Sequence, residues 1–330
     1  MSSSHPTARD ADLYRAVQDI RVGHWMRMSE VLAKTGHWPQ WTARTQALAA
    51  EAAETNVVEL WLKEEPASHA AHVMYARVTT ERVLRTHRAQ KTGQTRQWER
   101  LADLAWQECS KAAEENYYDP VPWICAIALM GTDTAGRFPR YRVPPPPPEH
   151  LLPHGPWELL EKTHRRDPWN REAWHRMSQA LQTQPGPAGR RAVAGDFARW
   201  TCSIAPDNSP LLLLPIYALV QDHRERRARH EPMLSQLWTR GDIVQATTRA
   251  FTGWFKKCDP ATSSQLDLNY LAYALVACGF PDWAAEVFEA IGDFATQHPW
   301  EDFAQHPSQW RDAFETARDG CRKPSARGRR

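Results

Sequence analysis

Five times along this chain a helix-forming segment runs into a proline, and an apolar helix-forming segment restarts behind it. The junctions are Glu65-Pro66, Asp119-Pro120, Asp167-Pro168, Ala205-Pro206 and Asp259-Pro260. Proline breaks a helix interior but is tolerated in a first turn, where its missing N–H would have no partner in any case. An Asp before it can cap that turn. The pattern predicts stacked helical hairpins, with each of these prolines within two residues of a helix start.

Helical periodicity runs through the chain. Leu101, Leu104, Ala105 and Cys109 recur at three- and four-residue steps, as do Ala284, Val287, Phe288 and Ile291. No run of alternating strand residues competes with it, so the fold class is all-α. Taking the prolines as joints divides the chain into a disordered start (1–9), an N-terminal cap of about three helices (10–64), a helical-repeat body (65–318) and a basic flexible tail (319–330). The body reads as an irregular α-solenoid of five hairpins. Their helices are expected at 67–88 with 97–117, 121–130 with 157–166, 169–182 with 191–204, 210–229 with 233–256, and 265–278 with 283–291. Intervals between the prolines run from 38 to 54 residues (206 − 168 and 120 − 66).

Composition narrows the function classes. With 42% hydrophobic residues the 330-residue chain can bury a substantial core. Lys and Arg number 41 against 39 Asp and Glu, so no specific nucleic-acid surface is expected. The first residues, Met1-Ser2-Ser3-Ser4-His5, lack the pattern of a secretory signal, and the apolar run 211–220 is too short to span a bilayer. A cytoplasmic protein with no membrane partner is expected. The six cysteines are scattered without a C-x-x-C pair, which reads as buried small residues in a reducing compartment. No phosphate-cradling or nucleophile-elbow motif occurs, so nucleotide-fold and hydrolase chemistry is set aside. Arginine outnumbers lysine and alanine is abundant, a bias of GC-rich genomes that fits an actinobacterial source.

The stretch Arg166-Asp167-Pro168-Trp169-Asn170-Arg171-Glu172-Ala173-Trp174 resembles the D-P-x-N-x-x-A-W joint between tetratricopeptide repeats. Asn208 stands in a similar place after Pro206, and residues 274–290, with Ala274, Ala277, Gly279, Ala284 and Ala285, resemble the two-helix body of one such repeat. The resemblance covers about the second half of the chain and departs from the family's spacing of roughly 34 residues. It implies a helical-repeat scaffold or adaptor for a protein or peptide partner. The segment from Gly292-Asp293 to Pro299-Trp300 is also similar to one in actinobacterial helical proteins, a likeness that implies no activity.

Stacked hairpins line their concave face with the first helix of each pair. On that reading Tyr75, Trp123, Asn170, Arg171, Trp174 and Tyr270 are binding candidates, with Arg140 and Arg142 above them on a proline-rich insertion, 132–155. Pro144 to Pro148 make the insertion a stiff polyproline rod, which reads either as a strap over the helices or as a loop that a partner grips. Sixteen tryptophans divide between core stripes (Trp106, Trp200, Trp254) and turn positions, including two Gly-His-Trp triplets at 23–25 and 36–38. The 223–230 and 322–330 stretches are basic and read as solvated ends.

A different reading rests on E-x-x-H pairs. Glu161 with His164 and Glu172 with His175 each share a helix face, as do Glu65, His69 and His72, and could ligate a metal in a helical enzyme of natural-product metabolism. The leading reading needs no cofactor. It treats Glu172 and His175 as helix-end residues whose loss is tolerated, and Arg171 and Trp174 as anchors for the partner.

Overall fold

The computed structural model describes residues 9–89, 95–134, 136–147, 152–183, 189–302, 304 and 306–322. The described residues form helices and no strand, with a single antiparallel bridge between Val143 and Gly155. They fall into two compact units, residues 9–194 and, from Gly195 onward, the C-terminal portion. Residues 1–8 of the expected start, the turn 184–188, Pro148 and residues 323–330 of the expected tail lie outside the described residues, whereas 319–322, expected in the flexible tail, belong to a helix that runs to Arg322.

Residues 9–194 begin with four helices where about three were expected: α1 (Ala11–Arg21), α2 (Met26–Ala33), α3 (Trp38–Ala52) and α4 (Val57–Glu64). Asp10 caps α1 by accepting from the Leu13 amide at 3.0 Å, and Arg44 of α3 pairs with the same carboxylate. Leu13, Ala16, Val17 and Ile20 form the buried stripe of α1. The first Gly-His-Trp triplet turns the chain so that Trp25 stacks on Trp61 at 5.5 Å.

Next come α5 (His69–Ala89) and α6 (Thr95–Glu115), an antiparallel pair, followed by α7 (Val121–Met130). Almost every side chain of α7 is apolar and buried, because α5, α6, α8 (Trp157–His164) and α9 (Arg171–Gln182) all pack on it. A helix apolar all round is the sequence signature of such a position. α10 (Gly189–Ile204) carries the boundary between the units.

The C-terminal unit holds α11 (Leu214–Ala228), α12 (Gly241–Arg249), α13 (Gln265–Ala277), α14 (Pro281–Ile291) and α15 (Trp310–Arg322). α13 and α14 form a hairpin closed by Gly279 at φ 82°, with Phe280 N–H bonded to the Leu275 carbonyl and Gly279 N–H to that of Val276. That paired bonding needs a left-handed residue, which glycine supplies without steric cost. Trp300 is fully buried beside Tyr273, Phe288 and Phe314, and its indole donates to Asn269 Oδ1 at 2.9 Å. Arg249 at the end of α12 holds the Ala205-Pro206 joint through the Cys202 carbonyl and the Asp207 carboxylate.

The expected placement of the prolines needs correction. Only Pro120 lies within two residues of a helix start, immediately before Val121. Pro66, Pro168, Pro206 and Pro260 stand three, three, four and five residues ahead of His69, Arg171, Pro210 and Gln265. All four sit in turns, and for the first three a later residue does the capping. Ser68 accepts from Ala71 N–H, Asn170 from Ala173 N–H, and Ser209 from Leu211 N–H.

The described part of the insertion is a strap pinned to α6. Phe138 stacks on Trp106 with ring centroids 4.5 Å apart, Tyr141 tilts onto the same indole at 4.9 Å, and Arg137 pairs with Asp103. The Asp133 carboxylate accepts from the backbone of Arg137 and Phe138 and from Arg142. Its base is closed by two hydrogen bonds between Val143 and Gly155, and a Cβ on Gly155 would meet Leu181 at 2.4 Å. Pro144, Pro146 and Pro147 are exposed. Replacing Pro144 to Pro147 with Gly and Ser is therefore expected to shift the melting temperature by only a few degrees. Trp106→Ala should cost about 3–5 kcal/mol in urea unfolding. Similar costs for the two changes would contradict the strap.

Candidate functional site

The joint that resembles the tetratricopeptide motif is interior. Asn170, Glu172 and Trp174 are 5%, 5% and 4% exposed. Asp167, Pro168, Trp169 and Asn170 make a tight turn, closed by Asn170 N–H on the Asp167 carbonyl, with Trp169 held at φ 62°. A left-handed tryptophan is strained, and its surroundings over-determine it. Its ring stacks on Trp174 at 5.2 Å, meets His164 edge-on at 4.8 Å, and its N–H donates to His164 Nδ1.

Beneath the turn lies a buried polar network. Arg77 of α5 donates two 2.7 Å bonds to the carboxylate of Glu172 on α9, one to the Thr42 carbonyl and one to Thr45 Oγ1. Arg176 supports the same carboxylate at 3.3 Å, and Asn170 Nδ2 reaches Thr42 Oγ1 and Asp167. Burial pushes the Glu172 carboxyl up, but the Arg77 and Arg176 charges and hydrogen bonds outweigh it and hold it below its ordinary range. The preceding joint is built alike. The buried Asp119 carboxylate caps the Val121 amide and accepts from the Trp41 indole, and His69 Nε2 lies 3.1 Å from it. Trp41 and Thr42, neighbours on α3, thus reach two successive joints.

These facts correct several expectations. Asn170, Trp174 and Tyr270 are buried and present no open groove; Tyr270, stacked on Tyr217 at 3.8 Å, lies in the C-terminal unit. Glu172 is no tolerant helix-end residue, since its loss would strand a buried guanidinium. Arg142 is tied to Asp133. Arg140 is exposed with its guanidinium 4.7 Å above Tyr141, Tyr75 is half-buried with burial raising its phenol pKa, and Arg171 is half-buried on the first turn of α9. The E-x-x-H residues diverge in role. Glu161 pairs with Arg165 at the surface, Glu172 with Arg77, and His164 packs on Trp169. His69 and Glu65 likewise face different partners, Asp119 and the Trp61 indole.

Among the described residues, the three-residue group with metal-ligand atoms within 4.8 Å of one another is His298, Glu301 and Asp302. The Arg224 guanidinium already compensates it, donating to both Asp302 oxygens at 2.7 and 2.5 Å. A shallow cleft, about 260 Å³ including open solvent, lies over the Arg77–Glu172 pair, with Gln46, Thr80, Cys125 and Arg176 on its walls. Its enclosed part is only about 10 Å³, far below the roughly 300–1,000 Å³ usual for small-ligand pockets.

One of the expected binding residues, Trp123, belongs to a surface cluster in which it, Lys162 and Arg166 are half-buried. Lys162 Nζ sits 4.4 Å over its ring, and the Arg166 guanidinium lies 5.3 Å from it and 4.2 Å from the Tyr117 ring. Arg166 is fixed there by the Tyr117 and Lys162 carbonyls. Tyr117 and Tyr118, 65% and 71% exposed, meet edge-to-face at the end of α6. Neither Lys162 nor Arg166 has a carboxylate within ion-pair distance among the described residues. The adjacent tyrosines before Asp119-Pro120 were the sequence signal for this face.

His87, His164, His175 and His223 are all pushed below the ordinary imidazole value of 6.5, burial being the main cause; for His175, enclosed among Arg171 and Arg176, the displacement is large. The native state then binds fewer protons than the unfolded chain between the two values, so stability is complete above 6.5 and falls as pH drops below it. The melting temperature is expected to decline from pH 6.5 toward 5, before carboxylates titrate, with a shallower slope in His175→Asn. A flat profile over that range would contradict the assignment.

Among the described residues no helix is long and apolar enough to cross a membrane. No family model matches the chain, and no curated protein or solved structure matches it either.

Proposed function

We propose that this protein is a scaffold of tetratricopeptide-like helical hairpins, working in a bacterial cytoplasm, that binds an acidic protein segment at the Tyr117–Trp123–Lys162–Arg166 face. The observation that carries the reading is two cations stacked on aromatic rings, unpaired with carboxylate among the described residues, beside two exposed tyrosines. Aromatic and arginine side chains dominate binding energy where they are fixed before the partner arrives. Arg166 meets that condition through its two carbonyl contacts. Cation–π placement desolvates one side of each charge and leaves the other for a carboxylate. Arg140 on the strap and Arg171 on α9 are further candidates for contact, without a shared cluster to place them together.

A fluorescein-labelled peptide of Glu and Asp alternating with Gly is a suitable probe. Anisotropy titration should show binding that weakens as salt rises, and that Trp123→Ala and Lys162→Glu each weaken by roughly 1–3 kcal/mol. A Lys-rich peptide of equal length should not bind. No binding at low salt, or wild-type affinity in both variants, would refute the site.

A further inference from the structure

The strap is held to the helices by its inner side. Arg142 turns onto Asp133, Phe138 and Tyr141 lie on the Trp106 indole, and Val143 is bridged to Gly155. Beyond Val143 the chain enters Pro144 to Pro147, and each of these residues is followed by another proline. The ring fixes φ at about −65° and the next ring excludes the helical region, so sterics hold the stretch as a polyproline II rod. Such a rod repeats every three residues, which puts Pro144 and Pro147 on one edge, about 9 Å apart. Burial agrees with that period. Pro145 is half-buried, whereas Pro144, Pro146 and Pro147 are exposed. One edge is therefore covered by the chain itself and two are open.

Proline has no N–H to give, and among the described residues no donor is bound to the carbonyls of Pro144 to Pro147. The open edges are rows of apolar rings and bare acceptors. A surface that covers them must supply flat apolar faces with donors at their rims, a combination found in indole and phenol side chains. Arg140, just ahead of the rod, adds a charge. It is exposed, its guanidinium lies 4.7 Å over the Tyr141 ring, and no carboxylate is within ion-pair distance of it among the described residues.

We propose that Arg140 and the open edges of Pro144 to Pro147 form a docking epitope for a partner domain whose groove is lined by tryptophan and tyrosine rings and ends in a carboxylate. The rings take Pro144, Pro146 and Pro147, their N–H and O–H groups donate to the proline carbonyls, and the carboxylate takes Arg140. The rod is ordered before the partner arrives, so little conformational entropy is lost on docking. The contacts of Phe138 and Tyr141 with Trp106 fix its base without using the edges a partner would cover. The epitope shares no residue with the Tyr117–Trp123–Lys162–Arg166 face and does not rest on the function proposed for that face.

The experiment titrates the folded full-length chain into an isotopically labelled SH3 domain, a probe whose aromatic groove ends in carboxylates, and follows its amide resonances by NMR. Saturable shifts confined to the groove are expected, and free decaproline should reverse them. Replacing Pro144, Pro146 and Pro147 together with Ala should abolish the shifts while the melting temperature stays within a few degrees of wild type. Pro145→Ala, on the covered edge, should retain them, and Arg140→Glu should weaken binding at least about tenfold. Lys162→Glu should leave binding unchanged, which separates the epitope from the cationic face. Absence of shifts with the wild-type chain, or shifts that survive the triple replacement, would overturn the proposal. So would binding lost in Lys162→Glu and kept in Arg140→Glu.

Discussion

The bidentate contact between Arg77 and Glu172 is the constraint on which residues 9–194 depend. It joins the middle of α5 to the first turn of α9, and the remaining Arg77 donors go to Thr42 and Thr45 on α3. Three helices distant in sequence are thereby fixed in register by one side chain. A buried ion pair adds little net stability over an apolar filling, since desolvation offsets most of the attraction. Its effect is on specificity: any packing of α3, α5 and α9 that separates the partners leaves a charge buried and uncompensated. Burial would lower the Arg77 pKa, and the Glu172 charge outweighs it, so the guanidinium stays charged.

Much of the architecture was legible from local chemistry. The limits of α7 and the starts of α8 and α13 agree with the sequence reading, because an apolar run or a Pro-Trp or Ser-Gln boundary defines each of them. The prolines marked the joints but not the helix starts. Ser68, Asn170 and Ser209 supply the side-chain acceptors that begin the helices, and proline occupies the turn before them. The four-helix start was undercounted since α2 and α4 are only 8 residues each, too short for a periodic signal.

The site was less legible, for a physical reason. A joint such as Asp167-Pro168-Trp169-Asn170 looks like surface because turns usually are, but α3 covers this one through Thr42. Which helix returns to cover a joint is a long-range fact with no local signature. Tyr117 closed the expected helix 97–117, and Tyr118 fell just outside it with no period to mark it. Several of the residues most conspicuous in the sequence therefore serve the interior, and of the cationic face only Trp123 was marked by the pattern, while Tyr118, Lys162 and Arg166 were not.

A double-mutant cycle on Arg77→Met and Glu172→Met, read by urea unfolding, tests this dependence most directly. Each single change should cost about 3–5 kcal/mol by stranding its partner, while the double variant, which strands neither, should cost no more than either single change, giving a coupling energy of at least about 3 kcal/mol, the upper end of the range for contacting residues. Single costs that add to within about 0.5 kcal/mol would show that the pair does not hold α5 to α9.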